Sequence, residues 1–294
     1  MIAYDEFGLF EDNVREADLP WAGAPAVRRQ DVEVAPGQRV SALCWGAGDP
    51  ELILLHGGAQ NAHTWDTVAL ALDRPLVAVD LPGHGHSDWK GDGAYHPREM
   101  ARDVAAAVEV LAPAARGVVG MSMGGLTSIA LAAARPDLVR RLALVDVTPG
   151  VNQEKGAAIA AFVSGPQSFA SFDEILARTI EHNPTRTESS LRRGVLHNAV
   201  EMSDGSWRWR YDRTRRDEGQ PFAVGELWDD LSRITVPLAL YRGEISPVVD
   251  DDDVAELRRR QPAAEVVVVE GAGHSIQGDR PVELAHLIAV FVPR

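Results

Sequence analysis

The stretch Val118-Val119-Gly120-Met121-Ser122-Met123-Gly124-Gly125 decides the fold. The apolar run Gly117 to Val119 reads as a buried strand, and the Ala-rich run Leu126 to Ala134 has helical period and ends at Arg135-Pro136. Between them stands Gly-x-Ser-x-Gly. A turn that passes so sharply from strand to helix strains the backbone of its serine, and side chains two residues to either side would collide, which calls for Gly120 and Gly124. Ser122 is thereby lifted onto the tip of the turn. The same geometry aims the N–H of Met123, one of the unpaired amides at the helix start, at an oxyanion forming on a carbonyl attacked by Ser122. In a chain this rich in Gly and Ala the pentapeptide alone would be an ordinary loop. The strand before it and the helix after it favour the sharper reading.

With that context the stretch resembles the nucleophile elbow of the α/β-hydrolase fold. The resemblance implies an α/β protein with a mostly parallel central sheet flanked by helices and a mainly helical cap insertion. Two further stretches are similar to motifs of the same family. Leu52 to Leu55 is a fully apolar strand that runs into His56-Gly57-Gly58, which resembles the oxyanion loop. There the glycines let backbone approach substrate, so Gly57 counts as substrate-binding and Gly58 as the second oxyanion N–H donor, while His56 is implied to anchor the loop. Asp80-Leu81-Pro82-Gly83-His84-Gly85-His86-Ser87-Asp88 resembles the family's structural turn after a sheet strand. Its His84-x-His86-x-Asp88 also imitates the start of a zinc signature, but Trp89 stands where the next histidine belongs, so no metal is expected.

The formal net charge of -14 argues against a nucleic-acid or anionic-membrane surface and favours neutral or apolar small-molecule partners. The single cysteine, Cys44, lies in a strand-like run and reads as a core filler. Met1 to Pro20 is acidic, without a basic or long apolar segment, and no run reaches membrane-spanning length, so a cytoplasmic protein, monomer or homodimer, is expected.

Outward from the elbow, Arg28 to Val34 and Arg39 to Trp45 form a hairpin signal around Ala35-Pro36-Gly37-Gln38. Further strands are expected at Pro75 to Val79, Leu142 to Val145, Val236 to Tyr241 and Ala264 to Val269. Helices fall at Pro97 to Leu111, Val254 to Arg260 and Pro281 to Phe291. Such alternation predicts a site at the carboxyl ends of parallel strands. Met1 to Ala26 carries only scattered aromatics (Tyr4, Phe7, Phe10, Trp21), expected to tuck against the body or to form an arm over the active-site mouth. From Val151 to about Leu231 the pattern breaks into short amphipathic pieces. We therefore divide the chain into a core of 1–150 and 232–294 and a cap of 151–231. Within the cap, Trp207-Arg208-Trp209-Arg210-Tyr211 alternates with strand period: Trp207 and Trp209 are candidates to face substrate, against the plainer reading of an aromatic face packed on the cap. Trp65 and His63 are weighed in the same way between pocket wall and packing. The cationic cluster Arg208 to Arg216 is too small in so acidic a chain to suggest nucleic acid.

A serine hydroxyl at neutral pH needs a base to take its proton. His274, on the loop Gly271-Ala272-Gly273-His274, matches the family's catalytic histidine in motif and chain order. The acid departs from the usual pattern, because Ser246 stands where the family normally carries aspartate. Asp146, Glu244 and the Asp250 to Asp253 run are the replacements, and Asp146, at the end of the strand after the nucleophile, resembles a known alternative placement. The run reads as the acidic first turn of a helix. The expected function is cofactor-independent hydrolysis of a carboxylic ester, thioester or lactone. Carbon–carbon bond hydrolysis by the same triad and a binding protein that has lost the chemistry are the alternatives.

Overall fold

The computed structural model describes residues 4–213 and 224–294. The chain begins with α1 (Phe10–Glu16), the strands β1 (Val27–Ala35), β2 (Gln38–Trp45) and β3 (Leu52–Leu55), and α2 (Asp66–Leu72). Next come β4 (Leu76–Val79), α3 (Pro97–Leu111), β5 (Gly117–Met121), α4 (Met123–Ala134) and β6 (Leu142–Val145). A run of short elements follows: α5 (Ala157–Val163), β7 (Ser168–Phe169), α6 (Phe172–Glu181), α7 (Glu188–Asn198), β8 (Ala199–Glu201), β9 (Trp207–Trp209) and α8 (Leu227–Ser232). The chain closes with β10 (Leu238–Gly243), α9 (Asp251–Arg260), β11 (Glu265–Val269), α10 (Ile276–Asp279) and α11 (Pro281–Phe291).

Eight strands form one sheet in the order β1-β2-β4-β3-β5-β6-β10-β11. The hairpin β1–β2 and the β2–β4 pair are antiparallel, and every pair from β4 to β11 is parallel. The central strands are apolar on both faces because helices cover both. In β3, Ile53 and Leu55 join the core beneath α3 and α4, whereas Leu52 and Leu54 join the core beneath α2 and α11, the side change that period 2 dictates. β5, the strand that leads into Ser122, lies between β3 and β6, so the loops after all three open at one end of the sheet.

Local chemistry sets the helix ends. Pro97 opens α3. Asp250 and Asp253 form a capping box on α9, with Asp251 to Asp253 in its first turn and Arg258 to Arg260 in its last, each complementing the helix dipole. The amino-terminal aromatics do tuck in, apart from Trp21, which is exposed. Phe10 is buried on α1 and packs 4.9 Å from the Trp45 ring, and Phe7 stacks on Phe10. Cys44 is buried and free.

Between β6 and α8 the described residues form helices with one small antiparallel sheet, β7-β9-β8, and their own apolar cluster. Trp207, Trp209 and Tyr211 all turn into that cluster, while the Arg208 guanidinium lies 4.9 Å over the Trp89 ring on the other side. The alternation Trp-Arg-Trp-Arg-Tyr thus sorts one packed face from one polar face. Residues 214–216 of the cationic cluster lie outside the described residues. Among the described residues no helix is long and apolar enough to cross a membrane.

Candidate active site

The turn from β5 to α4 holds Ser122 at φ 50°, ψ -120°, in the left-handed region that a residue with a side chain rarely adopts. Its two glycines are required by close contact. A Cβ on Gly120 would lie 2.4 Å from Ser128 Oγ and 2.5 Å from the Gly124 carbonyl oxygen. One on Gly124 would lie 2.3 Å from the Leu55 carbonyl oxygen. The elbow is therefore wedged against the end of β3, where the second glycine-rich loop begins. There a Cβ on Gly57 would come within 3.2 Å of Ser122 Cβ, and one on Gly58 within 3.0 Å of the Met123 methyl. The Gly57-Gly58 loop thus packs beside Ser122 Cβ and against the Met123 side chain, next to the two expected oxyanion donors.

His56 is fully buried beneath this loop. Its Nδ1–H donates to the Gly57 carbonyl at 2.7 Å and its Nε2 accepts the Leu81 N–H at 2.9 Å, which makes it a neutral anchor; burial holds its pKa below the usual value. The Gln60 side-chain oxygen, Oε1, accepts the Gly57 N–H at 3.1 Å. Asn198, at the end of α7, donates to the Ala59 carbonyl at 2.7 Å and accepts from Asn61 at 3.2 Å, tying the loop to the helices above it.

Asp146 follows β6 with φ 49° and is completely buried. Its Oδ1 accepts the Gly243 N–H at 2.8 Å, and its Oδ2 accepts both the Ser246 hydroxyl and the His274 Nδ1–H, the latter at 2.8 Å. Ser246, which looked like a missing acid, donates its hydroxyl to the Asp146 carboxylate. The other candidate acids face elsewhere: Glu244 accepts the Gly271 N–H, and Asp250 and Asp253 pair with Lys155 at 2.8 and 2.7 Å. His274 Nε2 is buried and, among the described residues, has no hydrogen-bond partner. Ser122, Gly57, Gly58 and His274 all line one cavity of about 300 Å³. Its apolar wall includes Ile159, Phe162, Val163, Leu191, Trp209 and Val248.

Of the aromatic candidates only Trp209 reaches this wall. Trp65 is fully buried in the core against α2 and α11, and Trp207 packs edge-on to Phe172 and faces a separate shallow pocket. Both were candidates to face substrate, weighed against the plainer reading of packing. Their rings are instead consumed by packing, which a large aromatic on a short amphipathic element favours whenever a core lies beneath it.

His63, weighed between pocket wall and packing, lines the cavity's far end, where it meets residues distant in sequence that sequence reasoning did not single out. His63 Nδ1 lies 2.9 Å from Asp66 Oδ2 and its Nε2 lies 3.2 Å from Glu6 Oε1. Burial alone would lower its pKa, but Asp66 and Glu6 outweigh it and raise the imidazole to about 9. Burial likewise works against ionised Glu6, yet hydrogen bonds from His63 and Arg29 hold it at about 2. The His197 ring stacks on His63 at 3.7 Å, 9° from parallel, and burial, with His63 next, keeps it neutral. His63, Asp66 and His197 bring possible ligand atoms within 4.8 Å of one another. Parallel stacked rings do not converge their in-plane lone pairs on one ion, and His63 is already an imidazolium between carboxylates, so the group fits a charge network better than a metal. His84, His86 and Asp88 diverge: His84 packs 5.3 Å from His56, His86 turns toward Glu6, and Asp88 pairs with Arg39. Asp80 heads that segment as a buttress, accepting from Arg29, the Ala62 N–H and the His86 N–H.

A family model described as "Alpha/beta hydrolase family" matches residues 52–287. The chain belongs to the α/β-hydrolase family. This hydrolase is 44% identical over 294 residues to the esterase Rv0045c of Mycobacterium tuberculosis, an alignment covering 97% of this chain and 94% of the relative. A crystal structure of that esterase superposes with a TM-score of 0.86 over 99% of the hydrolase and 98% of the relative. It is also 29% identical to the 2-(acetamidomethylene)succinate hydrolase of Mesorhizobium japonicum, over 84% of this chain and 89% of that one. To the sn-1-specific diacylglycerol lipase ABHD11 of Mus musculus it is 28% identical, over 83% and 81% of the respective chains.

Proposed function

We propose that the protein is a serine esterase in which Ser122, His274 and Asp146 act as nucleophile, base and acid on esters, thioesters or lactones of small, mostly apolar acids. One observation carries the reading. A buried carboxylate holds the Nδ1–H of a histidine whose Nε2 is left unpartnered in the cavity that the strained serine lines. Asp146 keeps the proton on Nδ1, so Nε2 is free to take the Ser122 proton as Oγ attacks the substrate carbonyl. The N–H groups of Gly58 and Met123 receive the oxyanion, and one such donor is worth roughly 3 kcal/mol to the transition state in other hydrolases. His274 then protonates the departing alkoxide, and after water enters it repeats the cycle to release the acid. The 44% identity to an esterase supports the same reaction class.

The segment 151–231 serves in this reading as a cap, and the chain acts in the cytoplasm. Its apolar wall residues set the acyl preference. The test is turnover of p-nitrophenyl butyrate and labelling by a fluorophosphonate, both abolished in Ser122→Ala. Turnover that persists in that variant would place the nucleophile elsewhere.

A further inference from the structure

Besides the His63 imidazolium, held between Asp66 and Glu6, the described lining of the cavity includes Lys155, Arg186 and Arg193, and Lys155 and Arg193 are spent. Lys155 is paired with Asp250 and Asp253, and Arg193 with Glu16 while its Nε donates to Asn13. Arg186 differs. One Nη donates to Ser190 Oγ at 2.5 Å, but Nε is buried with no partner, and the guanidinium forms no ion pair among the described residues. Asp279, the acid whose charge acts on it most, already accepts from the Gly273 N–H and the Thr185 hydroxyl. Burial depresses the Arg186 pKa against the pull of Asp279 and Glu16, yet a guanidinium does not give up its proton near neutrality, so the cation persists there with no ion-pair partner among the described residues.

Its position links it to the chemistry. The guanidinium packs against Gly278, where a Cβ would come 2.9 Å from Cζ and 2.9 Å from Nε. Gly278 belongs to α10, the short helix that follows the His274 loop, and it lines the same cavity as Ser122. A guanidinium there presents a planar fork of donors that suits a carboxylate.

We propose that Arg186 is a carboxylate subsite of this cavity, and that the preferred substrates are esters whose acyl or alkoxy part carries a free acid group. This rests on the esterase reading and narrows its substrate class. The chain's acidity, which repels anions at long range, makes the local cation the element that admits such a substrate. The plainer alternative is a purely structural clasp, in which Arg186 holds Ser190 and α10 together. It predicts no discrimination by substrate charge.

The experiment compares kcat/KM for monoethyl esters of dicarboxylic acids, from succinate to suberate, with that for ethyl esters of monocarboxylic acids of matching length. Loss of one charge-assisted pair should lower the ratio of acid to neutral ester about 10- to 100-fold in Arg186→Gln, chiefly through KM, with partial recovery in Arg186→Lys. A ratio within threefold of wild type at every chain length overturns the subsite. Calorimetry with succinate, glutarate, adipate and suberate on Ser122→Ala tests binding without turnover. Binding that is lost in Ser122→Ala/Arg186→Gln supports the proposal, and no binding at millimolar diacid overturns it. Failure of the esterase reading looks different, since it appears as neutral-ester turnover that survives Ser122→Ala.

Discussion

Replacing Asp146 by Asn tests the reaction most directly, because the surroundings of that carboxylate dictate which way the amide must face. Oδ1 meets the Gly243 N–H, and Oδ2 meets two donors, the Ser246 hydroxyl and the His274 Nδ1–H. An amide has one acceptor end. If its NH2 faced Gly243, two fixed donors would collide, whereas a hydroxyl can rotate, so the oxygen goes to Gly243 and the NH2 to His274. That amide then donates to Nδ1 and drives the imidazole proton to Nε2, the tautomer that cannot accept from Ser122. The expected loss is about four powers of ten in kcat, about 5 kcal/mol of activation energy, with KM little changed. Steady-state hydrolysis of p-nitrophenyl butyrate measures it, and circular dichroism checks the fold. A kcat within tenfold of wild type would refute the reasoning. So would an equal loss in Asp250→Asn, since Asp250 is occupied with Lys155 and the α9 cap.

Further outcomes follow from the same geometry. Ser246→Asp in the Asp146→Asn background puts a carboxylate beside His274 from the neighbouring loop and should recover at least tenfold in kcat; no recovery would mean that position 246 cannot reach the imidazole. Gly124→Ala drives a methyl into the Leu55 carbonyl and should cost more than about 3 kcal/mol by denaturant unfolding, and a variant as stable as wild type contradicts the packing. His63, raised from 6.5 to about 9 in the fold, contributes stability that is complete below its ordinary pKa and is lost as pH rises through about 9. The displacement corresponds to roughly 3 kcal/mol at most, so the stability difference between pH 7 and pH 10 should shrink in His63→Asn. An unchanged difference would remove His63 from the account.

The sequence made the sheet legible because each central strand is buried on both faces and bounded by turn residues. Leu52–Leu55, Leu142–Val145 and the helix Pro97–Leu111 fall where periodicity places them. The helix α1 was not legible, since its seven residues gain their order from Trp45 and α2 rather than from their own pattern. Within the site, the elbow and the His-Gly-Gly loop announce themselves through glycines that only close backbone contact requires. Ser246 carried no such signal, because a serine reads as a gap until the carboxylate it donates to is brought beside it from 100 residues away. Trp65 and Trp207 stayed open between two readings for the converse reason: a tryptophan's sequence neighbours do not say whether a core or a cavity lies beneath it.

One fastening couples access to chemistry. The Asn198 side chain clips the terminus of α7 to the carbonyl of Ala59, one peptide beyond Gly58. A swing of that helix away from the sheet would either break this bond or pull on the Gly57-Gly58 loop. Under the proposed reaction, in which Gly58 receives the oxyanion, the position of α7 and the readiness of that cradle would then be linked.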